Sequence, residues 1–278
     1  MAADLFSRPF FRAYRLLWKM ARPLLRRSSR LSDGWKERLA PDDWLPPEYA
    51  STDGHAVDLW LQAASGGEAR LAVAVCEHFS PSCPLRVLIT TWTRQGRDVA
   101  ERALENLKQS HPALRVVVRF APFDDPDIVR RALSVASPRM VALLETELWP
   151  GLLAACREKR IPVQVFNGRI NSSTAHFGRL LSSLMAEISP VAVQAISRYD
   201  EKAFSRIFPC AVDRMPNIKF DLASRTLEEP LPAHNHCFSV SGPVFLFASV
   251  RQCEETRIPG QLARLYKVVP NAAVVVVP

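Results

Sequence analysis

The chain has 278 residues, of which 48% are hydrophobic, and a formal net charge of +8. That length and apolar content suffice for a large core in roughly one to two domains and exclude a disordered tail or a repeat array. Its six cysteines show no Cys-x-x-Cys pair and no short secreted framework, so reduced cytosolic thiols are the better reading.

Met1 to Ala40 hold ten Lys plus Arg against three Asp plus Glu, a net +7 of the whole chain's +8. The remaining body is nearly neutral, which argues against a nucleic-acid substrate, because a phosphate-tracking domain carries its cations on the recognising surface. Arg8, Arg12, Arg15, Lys19, Arg22, Arg26 and Arg30 recur at steps of three or four. At about 100° per residue they form one stripe, with Phe6, Phe10, Ala13, Leu17, Met20 and Leu24 opposite. Residues 1–34 are therefore expected to form a basic amphipathic helix lying in a membrane interface. No run approaches the roughly 18 to 20 apolar residues of a membrane span, and charges interrupt any signal-peptide core. A surface helix docked on its own domain, or an organellar-type presequence, is the alternative.

From Val57 onward, short apolar runs alternate with amphipathic stretches. Strands are predicted over Val57 to Ala64, Arg86 to Thr91, Leu114 to Phe120, Met140 to Leu144, Ile161 to Phe166 and Val191 to Ile196. Helices are predicted over Glu68 to His78, Arg97 to Lys108, Asp127 to Val135 and Gly151 to Glu158. This alternation implies right-handed crossovers and a Rossmann-like, doubly wound parallel sheet. Leu222 to Gly242, rich in Pro, His, Ser and Glu, reads as a linker. Strand Pro243 to Ala248, helix Glu254 to Lys267 and strand Ala272 to Val277 then form one unit of a second α/β layer. Cys76-Glu-His78 and His234-Asn-His236-Cys237 lack the usual zinc spacing, so no metal is expected.

The most informative segment is Glu145-Thr-Glu-Leu-Trp-Pro150, because it delivers two carboxylates from the end of a buried strand. In open α/β sheets, ligands collect beyond the carboxyl ends of the strands. A second carboxylate, Glu68, follows a strand and the Gly66-Gly67 turn, so it belongs in the first turn of a helix. The helix dipole favours its ionised form there, and the glycines let a substrate approach the backbone.

Glu145-Thr-Glu-Leu-Trp-Pro150 resembles the signature of the bacterial 3-deoxy-D-manno-octulosonate (Kdo) transferases. Ala64-Ser-Gly-Gly-Glu68, Thr90-Thr-Trp-Thr93 with Gly96, Pro122-Phe-Asp124, Asn167-Gly-Arg169 and Asn217-Ile-Lys-Phe-Asp221 match the family in the same order. The resemblance runs from about Trp35 to Asp221. It implies the N-terminal, acceptor-binding domain of a GT-B glycosyltransferase over residues 35–221, a linker over 222–242, and the truncated start of a donor-binding domain over 243–278. It implies transfer of Kdo from CMP-Kdo to a lipid A precursor, by an inverting mechanism without a metal cofactor, at the cytoplasmic face of the inner membrane. Glu68 is then the general base. Ser65, Gly67, Glu145, Glu147, Arg169, Asn217, Lys219 and Ser249 fall on substrate-binding positions, with Arg169 suited to an acidic group. The sequence departs from the family at Asn171 (Ser in the family), Pro216 (Gly) and Arg251 (His). The family's Pro-Arg-His motif and Gly-rich donor segment are absent, which also leaves open a non-catalytic acceptor-binding scaffold, or a split enzyme whose donor domain is a separate chain.

Overall fold

The computed structural model describes residues 5–28, 31–49, 54–79, 84–145, 148–228 and 242–277. It divides into two compact units, Met1–Thr226 and Leu227–Pro278.

The first unit is built on a sheet of seven strands: β1 (Leu59–Ala63), β2 (Leu85–Thr91), β3 (Leu114–Phe120), β4 (Met140–Leu144), β5 (Val163–Gly168), β6 (Ala192–Ala195) and β7 (Ala211–Arg214). Every pairing is parallel, in the order β3-β2-β1-β4-β5-β6-β7. The chain winds outward from β1 to β3, returns to the centre, and winds the other way from β4. The β1/β4 boundary is thus the topological switch point, where α/β sheets open a crevice. The expected doubly wound sheet is present, and the short edge strand β7 adds to it.

Among the described residues, ten α-helices accompany these strands: α1 (Pro9–Leu25), α2 (Trp35–Leu39), α3 (Gly66–Glu77), α4 (Arg94–Ser110), α5 (Pro126–Ala136), α6 (Pro150–Lys159), α7 (Ser172–Leu180), α8 (Ser182–Glu187), α9 (Arg198–Ser205) and α10 (Ile218–Glu228). Because strand side chains alternate between faces, Trp60, Val141 and Leu143 join one core with Leu133 of α5, Leu153 of α6 and Phe204 of α9. Leu59, Leu61, Ala142 and Leu144 join the other with Leu71 of α3 and Leu107 of α4. Helix α10 continues to Glu228, past the expected boundary at Asp221. Its apolar Ile218 and Leu222 pack on the second of these cores, which a polar linker would not do. Residues 229–241, with His234, His236 and Cys237, lie outside the described part.

The N-terminal segment corrects the expected orientation of its charged stripe. Arg8 pairs with Glu187 at 2.6 Å, Arg15 with Asp127 at 3.1 Å and Arg22 with Asp125 at 2.5 Å. Phe11 is fully buried, and Tyr14 and Trp18 pack on the body. Part of the basic stripe therefore faces the domain's own carboxylates, and α1 belongs to the first unit rather than standing apart.

Asp124, in the loop after β3, ties α1 to α6. Its carboxylate accepts hydrogen bonds from the Gly151 and Leu152 backbone N–H groups, both at 2.7 Å, and from the Tyr14 hydroxyl at 2.8 Å. Burial pushes its pKa up to about 7, against the lowering effect of these donors. A Cβ on Gly151 would lie 2.4 Å from the Asp124 carbonyl oxygen. Backbone on both sides leaves no flexible atom to yield, so Gly151→Ala is expected to destabilise the fold by about 2 kcal/mol, read as a lower urea midpoint with an unchanged m-value.

The second unit consists of β8 (Val244–Ala248), α11 (Gln252–Glu255), α12 (Ile258–Val268) and β9 (Ala273–Val277), with β8 and β9 parallel. It is the strand-helix-strand unit read from the sequence, except that the single helix expected over Glu254 to Lys267 is divided into α11 and α12.

Candidate active site at the strand mouths

Glu68 is held by its own helix terminus. Ser65 is the N-cap of α3, with extended φ/ψ of −123° and 173°, and its hydroxyl accepts from the Glu68 N–H at 3.4 Å. In return, Glu68 Oε2 accepts from the Ser65 N–H at 2.9 Å and from the Ala64 N–H. This reciprocal capping box fixes the carboxylate over the first turn. Glu68 is 9% exposed, and its pKa is raised. Burial is the main cause, opposed by the two N–H donors; the Glu145 charge adds to the rise and Lys219 opposes it. The expectation that the helix terminus would favour the ionised form is thus corrected, because desolvation outweighs the N–H groups. Ser65 and Gly67 are exposed at the rim. The nearest atom to a Cβ on Gly67 would be Ser65 Oγ at 3.8 Å, so the turn presents open backbone.

Glu145 follows β4, across the switch point from Glu68. It is 8% exposed and has φ of 57°. Asn167, in β5, has φ of 53°. Positive φ is uncommon in residues other than glycine, and such strain collects at functional sites. The two side chains meet: Asn167 Nδ2 lies 3.5 Å from Glu145 Oε1, and Asn167 Oδ1 accepts from the Ile218 N–H at 3.0 Å. That bond docks the first turn of α10. Asn217 Oδ1 accepts from the Lys219 N–H at 3.1 Å, and Lys219 Nζ reaches Glu145 Oε1 at 2.5 Å. With 44% of the Lys219 side chain exposed, the cation is half open to solvent at the site's edge. Gly67, Arg70, Lys219 and Leu222 line a groove of about 480 Å³ between α3, α4 and α10.

Five sequence-predicted residues, Ser65, Gly67, Glu145, Asn217 and Lys219, therefore gather around Glu68 or around the Glu145–Lys219 pair. Arg169 is exposed and makes no ion pair with a described residue. Glu147 lies outside the described residues. Ser249 is exposed with φ of 60° and belongs to the second unit. Asn167 is the hub that sequence reasoning passed over; its signal was an Asn, tolerant of left-handed backbone, before Gly168. Trp149 is a packing residue, stacked on Trp92 at 4.6 Å. Cys76 is buried, and burial pushes its thiol up to about 12. Among the described residues, no group of three or more His, Cys, Asp or Glu side chains is placed to hold a metal.

A parallel sheet with an anchored carboxylate and a Glu–Lys pair at its switch point defines a Rossmann-like α/β domain with acid-base groups at its crevice. More particularly, the chain belongs to the 3-deoxy-D-manno-octulosonic-acid transferase (kdotransferase) family, whose N-terminal glycosyltransferase model matches residues 33–222. It is 27% identical to the 3-deoxy-D-manno-octulosonic acid transferase of Bordetella pertussis, over 83% of this chain and 53% of that protein. Identity to the Haemophilus influenzae transferase of the same name is 25%, over 79% of this chain and 51% of that one. A bifunctional glycosyltransferase/methyltransferase of Fusobacterium nucleatum is 25% identical over 95% of this chain and 40% of its own length. The chain thus spans about half the length of the first two relatives.

Proposed function

We propose that this chain forms the acceptor-side half of a glycosyl transfer site that moves Kdo from CMP-Kdo to a lipid A precursor during lipopolysaccharide biosynthesis. The observation that carries the reading is Glu68: a buried carboxylate of raised pKa, fixed by a capping box beside the Glu145–Lys219 pair. In this reading Glu68 takes the proton of an acceptor hydroxyl. The hydroxyl oxygen bonds to the anomeric carbon of Kdo, the bond from that carbon to the CMP phosphate oxygen breaks, and CMP leaves. Attack opposite the leaving group inverts the anomeric centre. Lys219 supplies positive charge at the rim, and Arg169, exposed, is free to meet an acidic group of either substrate. The reaction requires no metal.

A lipid acceptor calls for a membrane-facing surface, and a peripheral place on the cytoplasmic face of the inner membrane fits it. Among the described residues, no helix is long and apolar enough to cross a membrane.

The pH profile tests the base. Transfer is expected to rise with pH along an acid limb set by Glu68, because only the carboxylate accepts the proton. Lys219 lowers the Glu68 pKa, so Lys219→Met should move that limb to higher pH. The measurement is kcat/KM for labelled Kdo transfer against pH; a limb that stays in place, or moves down, contradicts Glu68 as the titrating base.

A further inference from the structure

Helix α1 presents different chemistry in sequence around its circumference. Phe11, Tyr14 and Trp18 face the body. Next to them, Phe10, Ala13, Tyr14 and Leu17 form one wall of a groove of about 540 Å³. Gly178 of α7 and Met185 of α8 lie on the other wall, and Trp149 also lines it. Further around α1 is an apolar ridge: Leu16, Leu17, Met20 and Leu24 are between 58% and 69% exposed. At the helical angle, Arg12 and Lys19 come next, both exposed, before the circle closes on the ion-paired Arg8, Arg15 and Arg22.

A matching arrangement flanks the opposite wall. Arg179 of α7 lines a separate recess of about 310 Å³ with Lys202 and Arg206. All three are exposed and without an ion pair to a described residue. The apolar groove therefore has cations beyond its α7 wall and an apolar ridge continuous with its α1 wall. Its volume lies within the range of small-molecule sites. Its near absence of polar groups suits hydrocarbon, and the cations complement anionic headgroups.

We propose that the groove between α1 and the α7–α8 pair takes one acyl chain of a membrane amphiphile, whose anionic headgroup rests on the flanking cations while Leu17, Met20 and Leu24 enter the bilayer. The inference deepens the reading of a lipid acceptor and rests on it for the kind of ligand.

The test is tryptophan fluorescence of the full chain on vesicles of phosphatidylglycerol brominated along its acyl chains. The expected result is quenching of a component that Trp149→Phe removes. Ala13→Phe, which narrows the groove from an exposed helix position, should lose that component while the protein still floats with the vesicles through its ridge. Brominated phosphatidylcholine should quench less. Flotation without quenching dependent on Trp149, quenching that survives Ala13→Phe, or no vesicle binding overturns the groove. Equal quenching on both lipids overturns the headgroup contribution. Since this assay involves no sugar transfer, quenching as expected together with turnover unchanged by Glu68→Gln would remove the catalytic reading and leave the groove standing.

Discussion

Replacing Glu68 with Gln should lower labelled Kdo transfer to a lipid A precursor by about 10²- to 10⁴-fold, the range that a positioned general base contributes. The amide keeps the size of the side chain and one acceptor oxygen, so part of the bonding to the Ala64 and Ser65 N–H groups survives. Removing the cap altogether costs about 1 kcal/mol, and Gln is accepted at the same capping-box position. Stability should therefore change little while turnover collapses. Glu68→Ala separates the effects from the other side, losing both activity and the cap. The comparison needs protein carrying this chain, assayed for transfer and melted in parallel. Turnover within threefold of the parent would exclude Glu68 as the base.

The largest expected effect on stability is at Arg38. This arginine of α2 is fully buried and, among the described residues, no carboxylate lies within hydrogen-bonding distance of it. Its guanidinium donates to the carbonyls of Asp33 at 3.1 Å, Ala121 at 3.1 Å and Trp92 at 2.6 Å. It lies against the rings of Phe120, Trp92 and Phe123, with centroids at 4.6, 5.3 and 5.9 Å. Burial lowers its pKa to about 10, which leaves it charged at neutral pH. The geometry staples the N-terminal segment to the loops after β2 and β3. Gly34 makes the entry possible, since its φ is +67° and a Cβ there would collide with the Phe120 ring. Arg38→Met keeps the apolar contacts but strands three carbonyls, two of them buried. At about 1–3 kcal/mol for each unsatisfied group, with some relief from water, the loss should be about 4 kcal/mol. For a unit of this size that lowers Tm by about 12 °C. Arg38→Lys should recover only part, because an ammonium has no planar fork to span three acceptors. Unfolding within 2 °C of the parent would contradict the staple.

These two residues also show how much of the molecule was legible in the sequence. Glu68 falls in the first turn of a helix as its position after Gly66-Gly67 implies, and there it closes a capping box with Ser65 that the reading of the sequence did not name. Strands β3 and β4 fall on the predicted residues because buried parallel strands read as continuous apolar runs. Strand β7 was missed because Ala211–Arg214 is short and largely exposed, with no apolar pattern to mark it. The role of Asn167 was illegible for another reason: its partners, Glu145 and Ile218, are 22 and 51 residues away. Arg38 looked like one more member of a basic segment, and only its three distant carbonyls give it a separate role.

What the sequence by itself determined were features set by neighbours within a few residues: the alternation that makes the doubly wound sheet, the cap that fixes Glu68, and the family motifs. Tertiary structure decided where charges point and what state they hold. The stripe on α1 reads as one cationic face, yet Arg8, Arg15 and Arg22 meet Glu187, Asp127 and Asp125, leaving the apolar ridge exposed. Glu68 sits at a helix terminus that favours its anion, yet burial raises its pKa. In both cases segments remote in the chain decide, by opposite charges for the stripe and by desolvation for Glu68, because Coulomb and hydration energies depend on distance and solvent in space rather than on sequence separation.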